Sequence, residues 1–309
     1  MIGVEFGFLE EATILRWSAG SIEPLPEHAE IIAGIRGHER VYSGWRYSSL
    51  APVVRDSKEE KTPPAMPTKF TLPATHRLIL KDAHLSEDAE DFYIALFGLL
   101  KGLRLQRDGW QHFYSSPIKR GTLCDFYADD REIEQALDIA TRTWCSLPSD
   151  NVRKQVFGSL HWHLFAQLYE HDFERFSAQY TALDACSKLA VELPQIDRYN
   201  DQPSHAQRAE KLCSALGIPV PGWAKCQQNK NTLAERRNAL VHEARYAGEP
   251  VGFAVPMENL NMTLELTGLV ARIYLRLLGI ENEYTRSRCT VRQTMGFTFE
   301  QQSVLTQND

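Results

Sequence analysis

Apolar and polar residues alternate at the start of the chain, and the rhythm then changes. Ile2, Val4, Phe6 and Phe8 fall on every second position, the period of a strand with one buried face. Thr13-Ile14-Leu15-Arg16-Trp17 continues in strand-favouring types, and Ile31 to Ile35 and Val41 to Tyr47 predict further strands. Glycines at 34, 37 and 44 predict turns or bulges. Residues 56–69, DSKEEKTPPAMPTK, are charged, proline-rich and poor in large apolar side chains, which predicts an exposed linker. Phe70 to Leu80 predicts one more strand.

From Ser86 the period becomes three to four. Ser86-Glu87-Asp88 places acid in the first turn of a helix, where the helix dipole favours it. Phe92, Leu96, Leu99, Leu100 and Leu103 supply its apolar stripe. A second helix is predicted over 130–147 from Ile133, Leu137 and Ala140. A long helical stretch follows from Val152 to Leu193, with a break near His171-Asp172. Its aromatic stripe (Trp162, Phe165, Tyr169, Phe173, Phe176, Tyr180, then Leu183) predicts core or a dimer seam. Pro203-Ser204 opens another helix, closed by Gly217 and Pro219. TLAERRNALVHEARYAG, residues 232–248, is the next, capped by Asn229 or Asn231 and ended by Gly248 and Pro250. A final helix runs from Met257 to Leu278 with Gly279 as its stop. The whole reads as α+β: a small β-rich N-terminal domain over 1–80, a larger all-α region over 86–280, and a polar tail over 281–309. That tail carries Arg286, Arg288 and Arg292, with strand potential from Val291 to Phe299.

Composition narrows the partners. A chain of 309 residues with 43 % hydrophobic content builds one large or two modest globular domains. Its net charge of -6 gives no global positive field to draw nucleic acid, so an RNA site must be a local patch. Six cysteines without a C-x-x-C pair predict free thiols in a reducing compartment. No basic run precedes the first apolar residues, and the longest apolar runs, such as Ile94 to Leu100, are too short for a membrane. A cytoplasmic protein is the expectation.

The candidate chemistry lies in Arg237-Asn238-Ala239-Leu240-Val241-His242. An arginine five residues before a histidine arises about once by chance in a chain of this composition. It occurs again at Arg107 and His112, in a glycine- and tryptophan-containing stretch past a helix end. The first copy sits inside a helix whose buried side is predicted to hold Leu233, Leu240, Val241 and Ala244. Asn238 and His242 lie one turn apart on a face shared with Glu235 and Arg245, and Arg237 must reach round towards the imidazole. Arginine cannot ligate a metal and one histidine is too few, so no metal or other cofactor is expected. Such a histidine can take a proton from a ribose 2′-hydroxyl while the arginine holds the phosphate. A solvated helix face with ion pairs to Glu235 or Glu243 is the plain alternative. His161, His163 and His171 are expected as structural histidines beside aromatic rings, and Asp129-Asp130 with Glu132 and Glu134 as an acidic helix start. No Walker loop, G-x-G-x-x-G, G-x-S-x-G or H-E-x-x-H occurs.

Arg237-Asn238-x-x-x-His242 resembles the R-x(4–6)-H motif of HEPN domains, in which a polar residue directly follows the arginine. YEHDFERFSAQYTALDAC, Tyr169 to Cys186, is similar to the long core helix of ApeA-like HEPN proteins. The resemblance spans Val152 to Leu278 and does not extend to the N-terminal strands. It implies a HEPN-like helical bundle over about 152–280. The implied activity is a metal-independent endoribonuclease leaving 2′,3′-cyclic phosphate, in bacterial anti-phage defence (abortive infection) or as a toxin. Arg237, Asn238 and His242 would be catalytic. The implied partners are an RNA substrate, a second copy of the chain completing the site, and an antitoxin or phage-derived trigger. Arg236, Arg245 and Lys230 would then bind RNA, in a segment from His205 to Arg245 with seven basic residues against three acidic. A non-catalytic HEPN-like module binding RNA or protein is the alternative, and the acidic total charge leans that way.

Overall fold

A computed structural model describes residues 3–48, 69–81, 87–193, 196, 199, 203–253, 261–291 and 293–299. The expected linker therefore lies outside the described residues apart from Lys69, as do Ile2, Ser86 and the Met257 start of the last helix. The chain is mixed α and β, and it divides into two compact units, Met1–Leu123 and Cys124–Asp309.

The first unit contains β1 (Val4–Gly7), β2 (Leu15–Trp17), β3 (Gly20–Pro24), α1 (His28–Arg36), β4 (Val41–Tyr42) and β5 (Trp45–Tyr47). It continues through β6 (Lys69–Thr71), β7 (His76–Leu80), α2 (Glu87–Lys101), β8 (Gln106–Arg107), β9 (Gln111–Phe113) and β10 (Ser115–Pro117). An antiparallel sheet runs β2-β3-β7-β1-β8, a second runs β10-β5-β4, and β6 pairs with β9. Phe6 and Phe8 are buried as the alternation predicts. Val41 to Tyr47 is a hairpin, turned at Ser43 and Gly44, both with positive φ.

Phe70 to Leu80, expected as one strand, is divided between β6 and β7, and two larger expectations change as well. Ile31 to Ile35 is helical, within α1, and not a strand. Ile31, Ile32 and Ile35 also fit helical spacing, and they pack around a core of Phe8, Leu72 and Ile118. Packing against that core outweighs the strand preference of β-branched types. The second change concerns α2, expected in the helical region but belonging to the unit of the strands. Tyr93 and Phe97, beside the expected stripe, seat it on the sheet: Phe97 meets Phe6 edge-on at 6.1 Å and Tyr93 lies 5.5 Å from Trp17. At its end the buried Lys101 donates to Glu11 at 3.0 Å.

The second unit opens with β11 (Phe126–Tyr127), α3 (Asp130–Ser146), α4 (Asp150–Ala166), α5 (Asp172–Glu192) and α6 (His205–Leu216). A 3-10 turn at Gly222–Ala224 follows, then α7 (Thr232–Glu243), β12 (Arg245–Tyr246), β13 (Glu249–Pro250), α8 (Asn261–Leu277) and β14 (Met295–Gly296). Asp129 caps α3 in a reciprocal box with Glu132, so the acidic cluster there starts a helix. α4 and α5 pack along each other, and α8 packs on α4, α5 and α6. Phe176, Leu183, Leu269 and Ile273 lie in this core, and the Tyr274 hydroxyl donates to the Val156 carbonyl.

The aromatic stripe divides. Phe176 and Tyr180 are core, whereas Trp162 is 40 % exposed and Phe165, Tyr169 and Phe173 are half-buried. His161 stacks on Phe165 with the rings 11° apart. Burial drives the pKa of His163 down to about 4, against the hydrogen bond its Nδ1 donates to Gln179 Oε1 at 3.0 Å. Residues 281–291 and 293–299, expected as a polar tail with strand potential near its end, fold onto the unit. Tyr284 and Phe297 are wholly buried around Phe126, and β14 pairs in parallel with β11. Among the described residues no helix is long and apolar enough to cross a membrane.

Candidate functional site

α7 begins where an amide can satisfy several backbone groups at once. Asn231 Oδ1 accepts from the Ala234 N–H at 2.7 Å, while Nδ2 donates to the carbonyls of Ala206 (2.5 Å) and Ala224 (3.0 Å). One buried side chain thus caps α7 and ties it to α6 and to the 3-10 turn. Leu233 and Ala234 are buried beneath it.

Beyond this first turn α7 is open. Val241 is 55 % exposed, Ala244 is exposed and Leu240 is half-buried, so the buried side expected of Leu240, Val241 and Ala244 is absent. The helix also ends earlier than Gly248. Ala244 takes a left-handed conformation (φ 51°), and the chain turns back through Ala247 and Gly248, both at positive φ, as the hairpin β12–β13. Arg245 therefore leaves the face of Asn238 and His242, and its guanidinium donates to the Gly248 carbonyl at 2.6 Å. Tyr246, one residue on, is buried. Its hydroxyl donates to Asp172 at 2.6 Å, and Thr263 donates to the same carboxylate at 3.0 Å.

The three residues singled out in the sequence meet on the exposed face. Arg237 Nη1 donates to Asn238 Oδ1 at 3.0 Å and reaches His242 Nε2 at 3.4 Å. Arginine carries donors only, so this contact places the lone pair of the imidazole on Nε2 and its hydrogen on Nδ1. The second copy of the spacing makes no such pair. Arg107 is held by Glu90 and Asp91, and His112 is buried under Phe70 with its pKa driven down to about 3 by burial.

Next to Arg237 lies a group with no signature in the sequence. Tyr180 and Arg208 both hydrogen-bond Nδ1 of His205, at 2.8 and 3.2 Å, and Arg208 is ion-paired with Asp184. Burial and the Arg208 charge hold His205 below its ordinary pKa, and the Arg237 charge acts the same way. His205 also lines an open groove of about 510 Å³ between the start of α6 and α7, with Lys230, Glu235, Asn238 and Glu243. Of the expected RNA-binding residues, Lys230 faces this groove. Arg236 instead lies over the Tyr246 ring, 5.4 Å from its centroid, and Arg245 is held in the hairpin. His205 and Arg208 stand one turn apart on α6, and Tyr180 reaches them from α5, a pairing that no local spacing announces. Among the described residues no three His, Cys, Asp or Glu side chains gather as a metal would require. No family model, no curated protein and no solved structure matches the chain.

Proposed function

We propose that the chain is a metal-independent endoribonuclease of the HEPN type, with a HEPN-like bundle formed by α4 to α8. The observation that carries this reading is the Arg237 guanidinium, within bonding reach of Asn238 and His242 on an exposed helix face. A phosphate arriving there competes for the guanidinium, which matches it in charge and shape. His242 Nε2, released from a long contact, then takes the proton of the adjacent 2′-hydroxyl. The 2′-oxygen attacks phosphorus, Arg237 offsets charge on the phosphoryl oxygens, and the 5′-oxygen departs with the bonding pair and takes a proton from water, while His242 returns its own proton to solvent. The products are a 2′,3′-cyclic phosphate and a 5′-hydroxyl end.

The open face of α7, with Val241 exposed beside His242, leaves room for a second copy to bring its own Arg237 and His242 to the same phosphate. A role in anti-phage defence or as a toxin, with a trigger or antitoxin as partner, rests on the resemblance of the motif. A non-catalytic RNA- or protein-binding module is the second reading. It is favoured by the groove beside the motif, where Glu235 and Glu243 stand against Lys230. The deciding experiment expresses wild type and His242→Ala in parallel and sequences RNA ends bearing cyclic phosphate, with and without chelator. Ends that depend on His242 and persist in chelator support the nuclease. Equal ends in both proteins, or ends lost with chelator, overturn it.

A further inference from the structure

We propose that the groove between the start of α6 and α7 binds the nucleobase next to the scissile phosphate, and that its side chains select guanine. The inference rests on the ribonuclease reading and adds to it the base that the site prefers.

The argument starts from His205. Arg208 can only donate, so its contact with Nδ1 makes that nitrogen an acceptor. The Tyr180 hydroxyl at 2.8 Å must then donate to the same atom. The hydrogen of the neutral ring is thereby fixed on Nε2. Two donors at Nδ1, one of them charged, keep a second proton away, and burial acts in the same direction. Tyr180, Arg208, Asp184 and Arg237 are the charged or titratable groups around this ring. An imidazole lining the groove with an N–H and no lone pair is a permanent hydrogen-bond donor.

The other lining groups decide what that donor meets. Glu235 and Glu243 face the groove, and among the described residues neither carboxylate bonds to another side chain. Two carboxylates with one lysine repel a phosphate, so the phosphate belongs with Arg237 and the groove takes an uncharged group. Asn238 joins the two places: its Oδ1 holds Arg237, and it lines the groove. A nucleotide bridging them puts its phosphate at Arg237 and its base in the groove. The volume, about 510 Å³, is ample for a base.

Four bases compete for a fixed donor and free carboxylates. Uracil presents one N–H between two carbonyl oxygens, which a carboxylate repels. Adenine and cytosine each present one amino group next to a ring-nitrogen acceptor. Guanine presents N1–H and the 2-amino group side by side, which one carboxylate accepts together, with O6 adjacent for an N–H donor. Each base can meet a donor and an acceptor, but guanine alone sets two N–H groups on one carboxylate while its O6 takes the His205 donor.

The test separates binding from cleavage. Full-length His242→Ala is titrated with 5′-GMP, 5′-AMP, 5′-CMP and 5′-UMP by calorimetry, and wild-type cleavage ends are sequenced. GMP is expected to bind about tenfold more tightly than the others. The paired change Glu235→Gln and Glu243→Gln should erase that preference, as should His205→Phe, with melting curves confirming that each variant folds. Cyclic-phosphate ends should adjoin guanine. Guanine-selective binding without cleavage keeps the groove assignment and defeats the nuclease. Cleavage with equal binding of all four nucleotides keeps the nuclease and overturns the groove assignment. A GMP preference unmoved by the three substitutions overturns it too.

Discussion

Arg237 and His242, five residues apart on one helix, are joined at 3.4 Å through the ring nitrogen that a general base uses. The contact is longer than an ordinary hydrogen bond, so an incoming phosphate can displace it. Substituting His242→Ala should lower single-turnover RNA cleavage by about 10²–10⁴-fold, the usual contribution of a positioned base. Arg237→Lys keeps the charge but loses the two-pronged fork, and a loss of about 10²-fold is expected. Both variants should melt close to wild type, since His242 is exposed and Arg237 is only half-buried. Cleavage at the wild-type rate in either would sink the assignment.

Asn231 is the joint on which the site depends. Asn231→Ala removes the cap of α7 and leaves the Ala206 and Ala224 carbonyls without their donor. A loss of about 2 kcal/mol is expected from urea denaturation. Cleavage should fall even where the variant is fully folded, because α7 loses its tie to α6. A stability within experimental error of wild type would contradict this role.

Ala244 offers the opposite sign. It holds a left-handed conformation that costs an L-residue free energy and glycine almost none. Ala244→Gly should raise stability by about 1 kcal/mol, read as a higher urea midpoint. A lower midpoint would show that this stop is not strained.

These positions also show which features the sequence could announce. The Asn231 cap is legible because a capping type stands directly before a helical run. The end of α7 is not, since an alanine carries the left-handed stop and the visible Gly248 serves a hairpin. α1 hides behind Ile31, Ile32 and Ile35, whose type speaks for a strand while their spacing also suits a helix; contact with Phe8 and Ile118 decides between them. Arg237 and His242 are legible through local spacing. His205 is legible only in its i, i+3 neighbour Arg208, because Tyr180 reaches it only after α5 and α6 have packed.

Arg272 has no exposed side-chain surface and donates to Asp125 at 2.9 Å. Gly268, Tyr284 and Ser287 complete its shell. Asp125→Ala leaves a buried guanidinium without its counter-charge. A loss of about 3 kcal/mol is expected, the low end for a broken buried pair because the neutral partners remain. An unchanged thermal midpoint would refute it.

Acid should weaken the fold through its buried histidines. The unfolded chain protonates His163 near the ordinary histidine value of about 6.5. The folded chain does so only at about 4, because the ring is buried. The stabilisation is therefore complete above about 6.5 and is lost as pH falls towards 4, by about 3 kcal/mol in all. His76, lowered to about 4, and His112, lowered to about 3, act with the same sign. Urea midpoints at pH 7.5 and 5 test this, and a higher midpoint at pH 5 would reverse the sign.

α7 is fastened on both sides of its open face. Asn231 is buried before it, and Tyr246, bonded to Asp172, is buried just after it. Fixing a residue's backbone costs about 1–2 kcal/mol of chain entropy, and for Arg237, Asn238 and His242 that cost falls on folding. On the ribonuclease reading, RNA reaching this face would have only side chains left to order. Amides of α7 should accordingly exchange with solvent slowly for so exposed a helix, whether or not a substrate is bound.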